Sequence, residues 1–407
     1  MPEITVKAVV LSVVLAAVLA AANAYLGLFA GMTVSASIPA AVASMAILRL
    51  FRDSNILENN IVQTAASSGE ALAAGVIFTI PALVLIGYWQ TFDYWQTVAL
   101  ATVGGLLGVL YTIPLRRALI VDAKLRFPEG VATAEVLKAG TSRERTTGGI
   151  RVLIIASLLG AAAKLGESGL KLWTESIEAA WRPGGGLLYA GMNLSPALVA
   201  VGFILGWQTA VIVFAGGAIG WLILLPLEAI VHGAPADVAA LAAAKMLWST
   251  RIRYVGIGAM LVGGLWTLLA LRRPVLDSLR LLAAGYQASQ GVRDAVPRTE
   301  RDASLLWIVL LLAASLLPMV WLYQDVIGSW TMGVLMTLVM ATAAFLFSSV
   351  AGYMAGLVGS SSNPVSGVTI ATLMLSSLLL LAFLGSGHTA GPAAALLIAA
   401  VVCCAAA

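Results

Sequence analysis

Long apolar runs recur along almost the whole sequence, and most of them approach the roughly 20 residues that a helix needs to cross a lipid bilayer. Only 10% of the residues are charged, whereas about a quarter of a soluble domain is charged. A window of about 19 residues gives spans near 8–27, 28–48, 61–88, 97–114, 150–165, 188–206, 209–230, 254–271, 304–322, 330–350, 363–384 and 389–407. The sequence therefore predicts an all-α polytopic membrane protein with about twelve transmembrane spans.

The loops between these runs indicate the orientation of the spans. If the N-terminus is cytoplasmic, loops 49–58, 115–149 and 272–303 lie on the same side, and they hold most of the 23 Lys and Arg residues. The positive-inside rule predicts this asymmetry. We therefore expect a multi-pass protein of the cytoplasmic (inner) membrane with a cytoplasmic N-terminus. Because the basic residues form no patch with interleaved aromatic residues, nucleic acid is not expected as a partner.

The stretch NAYLGLFAGMTVSASIPAAV, residues 23–42, has too many small residues for a span that only sits in lipid. Four residues at intervals of four form one small, polar stripe on a helix: Asn23, Gly27, Gly31 and Ser35. Such a stripe either lets another helix approach closely or leaves room for a ligand where the glycines and Pro39 loosen the helix. Since no charge separates the predicted spans 8–27 and 28–48, a broken or re-entrant segment is the alternative to two full spans.

The segment ENNIVQTAASSGEALAAG, residues 58–75, carries a polar face inside a predicted span. Spacings of three, four and three put these residues on one side of a helix: Asn60, Gln63, Ser67 and Glu70. A carboxyl group this deep in a span costs several kcal/mol unless it is paired or protonated. Glu70 is therefore a candidate proton carrier. The alternative is that the amides and Glu70 only bond neighbouring helices.

The segment RFPEGVATAEVLKAG, residues 126–140, lies in a basic loop that is predicted to be cytoplasmic. Pro128 and Glu129 suit the first turn of a helix, Lys138 its last turn, and Gly140 a stop. One interpretation is an amphipathic helix on the membrane surface. The other is a tight entry into a vestibule with a role in gating.

The sequence offers no constellation for catalysis or for a resident metal. His232 and His388 flank span ends without a metal-ligand spacing, and Cys403 and Cys404 are adjacent and poorly placed for a bridge or a chelate. No intramembrane Asp pair and no Ser-His arrangement occurs. We expect no cofactor, no metal site and no catalytic residue. A membrane-embedded peptidase or transferase and a channel stay open as alternative functions.

A short internal repeat suggests two related halves. YLGL at 25–28 is similar to YMAGL at 353–357, and small and hydroxyl residues lead from each to a proline, GMTVSASIP in the first and GSSSNP in the second. We expect two parallel structural repeats, 1–290 with about eight spans and 304–407 with about four. The second repeat is interpreted as truncated.

Four segments in order closely resemble the oligopeptide transporter family, in its bacterial branch related to the yellow stripe-like metal-chelate transporters: NAYLGLFAGMTVSASIPAA, ENNIVQTAASSGEALAAG, PLRRALIVDAKLRFPEGVATAEVLKAG and SSNPVSGVTIA. The resemblance implies a secondary transporter, driven by protons, that carries small peptides or peptide-like metal chelates into the cytoplasm through two similar halves. It also implies a further segment beyond residue 407, because family members usually continue into a partner of ENNIVQTAASSGE.

Together these features predict a mid-membrane site formed by residues 23–39, residues 59–70 and the repeat copy at 359–367. The expected substrate-binding residues are Asn23, Tyr25, Gly27, Gly31, Ser35, Asn60, Gln63, Ser67, Asn363 and Ser366. Glu70 is expected to couple transport to protons. The expected partners are the lipid bilayer, a small peptide or metal-chelate substrate and protons, with a homodimer as an open option.

Overall fold

The computed structural model describes residues 3–31, 33–51, 54–116, 119–120, 124–140, 143–184, 186–235, 237–260, 262–263, 266, 303–360, 365–385 and 390–407. Two compact units form: Met1–Thr147 together with Gly264–Ala407, and Gly148–Gly263. We call them the first and the second unit. Each has its own buried apolar residues, and each is described by itself.

The described chain is mostly helical. In chain order the helices are α1 (Val6–Ala30), α2 (Ser37–Leu48), α3 (Ile56–Ile77), α4 (Ile80–Leu85), α5 (Tyr94–Arg116), α6 (Pro128–Ala139), α7 (Arg143–Lys164), α8 (Pro196–Ala218), α9 (Leu225–His232), α10 (Ala240–Leu247), α11 (Leu305–Ile327), α12 (Trp330–Val358), α13 (Val365–Leu384) and α14 (Gly391–Ala406). Short π-helical stretches follow α7, α8 and α10 at Leu165–Gly169, Ile219–Leu224 and Trp248–Ile252. The strands β1 (Ser176–Trp181) and β2 (Leu188–Asn193) pair antiparallel between α7 and α8.

Seven helical segments within the described residues are long and apolar enough to cross a membrane: Val6–Phe29, Ile56–Leu85, Tyr94–Arg116, Ala210–His232, Leu306–Ile327, Trp330–Leu357 and Gly367–Leu384. The chain is thus a multi-pass membrane protein, but the prediction of twelve spans is not confirmed. The predicted span 28–48 contains the end of α1 and the shorter apolar helix α2, and the predicted span 389–407 contains the shorter apolar helix α14. Part of the predicted span 254–271 lies outside the described residues, which here are 254–260, 262–263 and 266.

One predicted span was wrong in its first part. Residues 188–193 of the predicted span 188–206 form β2, so the fold is not purely α-helical. In the register of the hairpin Glu178 pairs with Gly191 and Ala180 with Tyr189. A short apolar run bounded by turn residues suits a strand as well as a helix, and hydropathy alone does not separate the two.

The chain breaks between α1 and α2, as the alternative to two full spans predicts. Gly31 ends α1 in the left-handed conformation, with φ 71°, and its N–H bonds the carbonyl of Gly27 at 2.9 Å. A glycine is favoured here because a side chain is strained at positive φ. Residues 33–36 then run without helical structure, and α2 begins at Ser37. With 12 residues, α2 is too short to cross a bilayer, which takes about 20.

The start of α3 is fixed by a buried carboxylate. Glu58 is fully buried and forms a capping box with Asn55. Its side chain also accepts a hydrogen bond of 2.6 Å from the hydroxyl of Thr5 and lies 3.2 Å from the ammonium of Lys7. A buried charge needs such partners because it has lost its water. These contacts join the beginnings of α1 and α3.

The short helix α14 occupies the centre of the first unit. Every residue from Ala393 to Ala406 is buried, and the helix contacts α3, α5, α12 and α13. Glycines on two of these neighbours allow the close approach. A Cβ on Gly75 of α3 would lie 2.6 Å from the backbone nitrogen of Cys404, and one on Gly108 of α5 would lie 2.7 Å from the carbonyl oxygen of Ala405. Small residues at helix contacts let backbones meet in this way.

The second unit is built around the hairpin and three stacked rings. Trp221 lies between Tyr189 and Trp248, with ring centroids 4.0 Å and 4.2 Å apart. At the hairpin, the carboxylate of Glu178 on β1 lies 2.5 Å from the ammonium of Lys245 on α10. The stack and the ion pair connect the hairpin to helical segments that follow it in the chain.

Candidate functional site

A polar bridge joins α1 and α3 at the point where the sequence predicts a site. The side-chain amide nitrogen of Asn23 donates a hydrogen bond to the carboxyl of Glu70. Both side chains are nine-tenths or more buried, each with 4% of its surface exposed. The backbone N–H of Ala36 bonds the same carboxyl. Glu70 is therefore held by uncharged donors, as a carboxyl group within a spanning helix requires.

Asn23 also holds the break that follows α1. Its amide oxygen accepts a hydrogen bond of 3.0 Å from the backbone N–H of Val34. Because the oxygen serves Val34, the amide nitrogen is the atom left to face Glu70. The unwound backbone donors at positions 34 and 36 are both satisfied in this way, one by Asn23 and the other by Glu70. The conformation of the break thus depends on the two polar side chains.

A contact between two serines connects the segment after the break to a cavity. The hydroxyls of Ser37, at the start of α2, and Ser67, on α3, lie 2.9 Å apart. Ser37 also lines a cavity of about 340 Å³ in the first unit. Its walls come from α2, α3, α6 and the end of α12: Ser37, Asn60, Gln63, Thr64, Phe127, Glu129, Gly130, Thr133, Ala134, Ala355 and Ser360. The volume is at the small end of the range of ligand sites, about 300–1,000 Å³.

The segment that leads into α6 forms one wall and is strained. Phe127 has φ 43° and ψ 65°, a left-handed conformation that is rare for a residue of its size. Its N–H donates to the carbonyl of Gly356 on α12 at 3.0 Å. The hydroxyl of Ser360 donates to the carboxyl of Glu129. Backbone strain of this kind is stored at sites where the surroundings hold it in place.

One hydroxyl in the cavity wall has no hydrogen-bond partner among the described residues. Thr133 Oγ1, on α6, is buried and unbonded, and the residue is only 4% exposed. An unbonded buried polar atom costs about 1–3 kcal/mol. Thr133 belongs to the cavity wall, but its hydroxyl oxygen is closed off from the cavity space. To a polar ligand the wall offers carboxamides, other hydroxyls and one carboxylate.

The predicted site residues do not all lie at the cavity. Asn60 and Gln63 line the cavity, while Ser67, Asn23 and Glu70 form the contacts that lead away from it. Ser35 belongs to the break, where its hydroxyl lies 3.4 Å from that of Ser37. Asn363 and the side chain of Ser366 lie outside the described residues.

The predicted stripe of small residues on one helix was wrong beyond Gly27. The α-helix α1 ends at Ala30, so Gly31 is its C-cap and Ser35 lies in the unwound segment. Gly27 serves packing, because a Cβ there would clash with the side chain of Ile77 on α3. Tyr25 is about half exposed, stacks on Phe29 and is not among the residues that line the cavity.

Nine residues of the cavity wall were not named from the sequence as substrate-binding candidates: Ser37, Thr64, Phe127, Glu129, Gly130, Thr133, Ala134, Ala355 and Ser360. Ser37, Thr64 and Ser360 lie within the ranges predicted for the site. For Phe127, Glu129 and Gly130 the signal was the FPEG segment, which suits a tight entry to a vestibule. No group of three or more His, Cys, Asp or Glu that could hold a metal ion occurs in the part of the chain that the structure describes.

The helices and the polar cavity define a polytopic membrane protein with a ligand-sized site in its first unit. The chain belongs to the family described as OPT oligopeptide transporter protein, whose family model matches residues 3–407. It is 37% identical over 357 residues to a protein of Haemophilus influenzae described as a putative oligopeptide transporter. The match covers 84% of this chain and 55% of that protein, so the chain spans about half the length of this curated relative. No solved structure matches.

Proposed function

We propose that the protein is a secondary active transporter that imports oligopeptides or peptide-like metal chelates across the cytoplasmic membrane together with protons. The observation that carries this proposal is the cavity, where Asn60 and Gln63 of a spanning helix lie with Thr133 and Glu129 of α6. Amides and hydroxyls suit the peptide groups of a small peptide, which are themselves donors and acceptors. Membership in the oligopeptide transporter family supports a carrier rather than an enzyme or a channel.

Glu70 is proposed as the proton-coupling residue. As a carboxylate it accepts hydrogen bonds from Asn23 and from the N–H of Ala36. Once protonated, a carboxyl group is a weaker acceptor and carries a donor of its own. Protonation would then loosen the hold on residues 34–36, which lead directly into Ser37 and the cavity. The break between α1 and α2 is thus the element that a proton could shift between two arrangements.

Uptake into proteoliposomes tests the coupling. The full-length protein is reconstituted and given a defined mixture of tripeptides to pentapeptides, and the accumulated peptides are measured by mass spectrometry. We expect saturable accumulation that follows an inward proton gradient and stops when an ionophore dissipates it. Uptake that is unaffected by the gradient would contradict proton coupling. Non-saturable flux would favour a channel, and cleavage of the peptides in detergent would favour an enzyme.

The variant Glu70→Gln tests the assignment of the residue. We expect it to lose accumulation driven by the pH gradient and to keep exchange of internal for external peptide, because exchange needs no net proton movement. Glu58→Gln is the matched control, since Glu58 is a second buried carboxylate on α3 but is paired with Lys7. This control should retain the response to the gradient. If Glu70→Gln retains it as well, the proton is carried elsewhere.

A further inference from the structure

We infer that Glu129 selects substrates that carry a free α-ammonium group. This inference rests on the proposed function, because it names the part of a peptide that the cavity recognises. Glu129 is the one residue with an ionisable side chain among the described residues that line the cavity. A carboxylate is a strong acceptor for a cationic donor, and the α-ammonium is the cation that every unmodified peptide has.

Two elements of the structure hold the carboxylate of Glu129 at the cavity wall. Glu129 lies in the first turn of α6, and the hydroxyl of Ser360, after the end of α12, donates to its Oε2. The backbone of α12 ends close by. Gly359 has φ 101°, and a Cβ on it would lie 3.0 Å from Glu129 Oε1. A side chain fixed in this way loses little further freedom when it binds a ligand.

The groups beside Glu129 suit the rest of a peptide's amino-terminal residue. Thr133 is four residues further along α6 and therefore on the same face of the helix. Its side chain lines the same cavity beside Glu129. Asn60 of α3 lines the same cavity with an exposed side chain. The carboxylate of Glu129, the hydroxyl of Ser360 and the amide of Asn60 around one cavity form the kind of convergent polar set that fixes the orientation of a ligand.

Glu129 also has a simpler role that needs no ligand. An acidic residue in the first turn of a helix stabilises the helix dipole, by about 0.3–1 kcal/mol. That role affects the stability of α6 and thus all substrates alike. The two roles are therefore separated by the ratio between unmodified and amino-blocked peptides, which a loss of stability does not change.

The experiment compares three peptide mixtures of identical sequences in the uptake assay: unmodified, N-acetylated and C-amidated. We expect the wild-type protein to prefer the unmodified over the N-acetylated mixture by at least about 10-fold, the effect of one hydrogen bond to a charged group. C-amidation should matter much less. In Glu129→Gln we expect the uptake of unmodified peptides to fall to the level of the acetylated ones, so that the ratio approaches one.

Glu135→Gln is the matched control for this variant. It makes the same chemical change on the same helix, but Glu135 is exposed and is paired with Lys138 outside the cavity. We expect it to keep the wild-type ratio. Glu129→Asp retains the charge and should keep part of the preference, which guards against a variant that simply fails to fold.

The outcomes separate the two proposals. If the wild-type protein takes up none of the three mixtures, the proposed function fails and the inference fails with it. If it takes up unmodified and acetylated peptides equally, transport stands and the role of Glu129 is overturned. A preference that survives in Glu129→Gln would also overturn it, and so would a loss caused by C-amidation alone, which would place the carboxyl end of the peptide in the cavity.

Discussion

Asn23 and Glu70, which are 47 residues apart in the sequence, form a buried hydrogen bond that joins α1 to α3. The same asparagine bonds the N–H of Val34, so the end of α1, the break that follows it and α3 share one polar contact. An apolar residue at position 23 would leave the carboxyl of Glu70 and the N–H of Val34 each without one hydrogen bond. The contact is therefore structural as well as being the proposed route of coupling.

Replacing Asn23 by Ala should destabilise the first unit. The change removes two hydrogen bonds and leaves the buried carboxyl of Glu70 with one donor fewer, which we expect to cost about 1–3 kcal/mol. Thermal unfolding in detergent measures the effect as a lower midpoint. Asn60→Ala is the control, because it makes the same change on α3, where the side chain of Asn60 is exposed. It should change stability by no more than about 0.5 kcal/mol and should still reduce peptide uptake. Equal stability of the two variants would contradict the structural role of Asn23.

Two glycines of α5 have different neighbours, Ala405 of α14 at Gly108 and Leu72 of α3 at Gly105, and this predicts different effects of alanine. A Cβ at Gly108 would meet the backbone of Ala405, which cannot move aside, so Gly108→Ala should cost about 1–3 kcal/mol. At Gly105 the nearest atom is the end of the Leu72 side chain, 2.9 Å away, which can rotate. Gly105→Ala should therefore be neutral or stabilising, by up to about 1 kcal/mol of helix propensity. Thermal unfolding of both variants checks the prediction, and a shift in the same direction for both would count against it.

The ion pair at the hairpin predicts a dependence of the second unit on pH. The hydrogen bond from Lys245 lowers the pKa of Glu178 below its usual 4.5. A lowered pKa in the folded state means that the carboxylate stabilises the fold above its unfolded pKa, and that this contribution is lost as the pH falls through the folded pKa. We therefore expect the amides of β1 and β2 to lose protection from hydrogen exchange as the pH drops below about 4.5.

Glu178→Gln is the test of that assignment. The glutamine side chain cannot titrate in this range, so the acid-dependent loss of hydrogen-exchange protection in β1 and β2 should disappear. At neutral pH the protection of these amides should be lower than in the wild-type protein. Lys245→Met should act in the same way, because it removes the cause of the pKa shift. A wild-type response to acid in both variants would assign the pH dependence to other groups.

The periodicity of the sequence was enough to identify the polar face of α3. Asn60 and Gln63 both line the cavity, because residues three apart share one side of any α-helix. The break near residue 31 was foreseen as an alternative from its glycines and the missing charge. Local propensity decides both features, so both are visible in a single sequence.

The partners of those residues could not be predicted, because they come from distant segments. Nothing in the spacing of the FPEG segment relates Glu129 to Ser360, which lies 231 residues further on. The hairpin at residues 176–193 was hidden for another reason, since the apolar residues of β2 run on into those of α8. Likewise, alanines and glycines permit close contacts in many places, and only the fold selects α14 as the central helix.

The central position of α14 has a consequence for the order of assembly. Its neighbours α3, α5 and α12 all precede it in the chain, and the contact surfaces on Gly75 and Gly108 have no other occupant among the described residues until residues 391–406 arrive. During synthesis these earlier helices enter the membrane first and cannot close on one another in their final arrangement. The first unit therefore reaches its packed arrangement only once the short helix α14 has inserted among the longer helices that precede it.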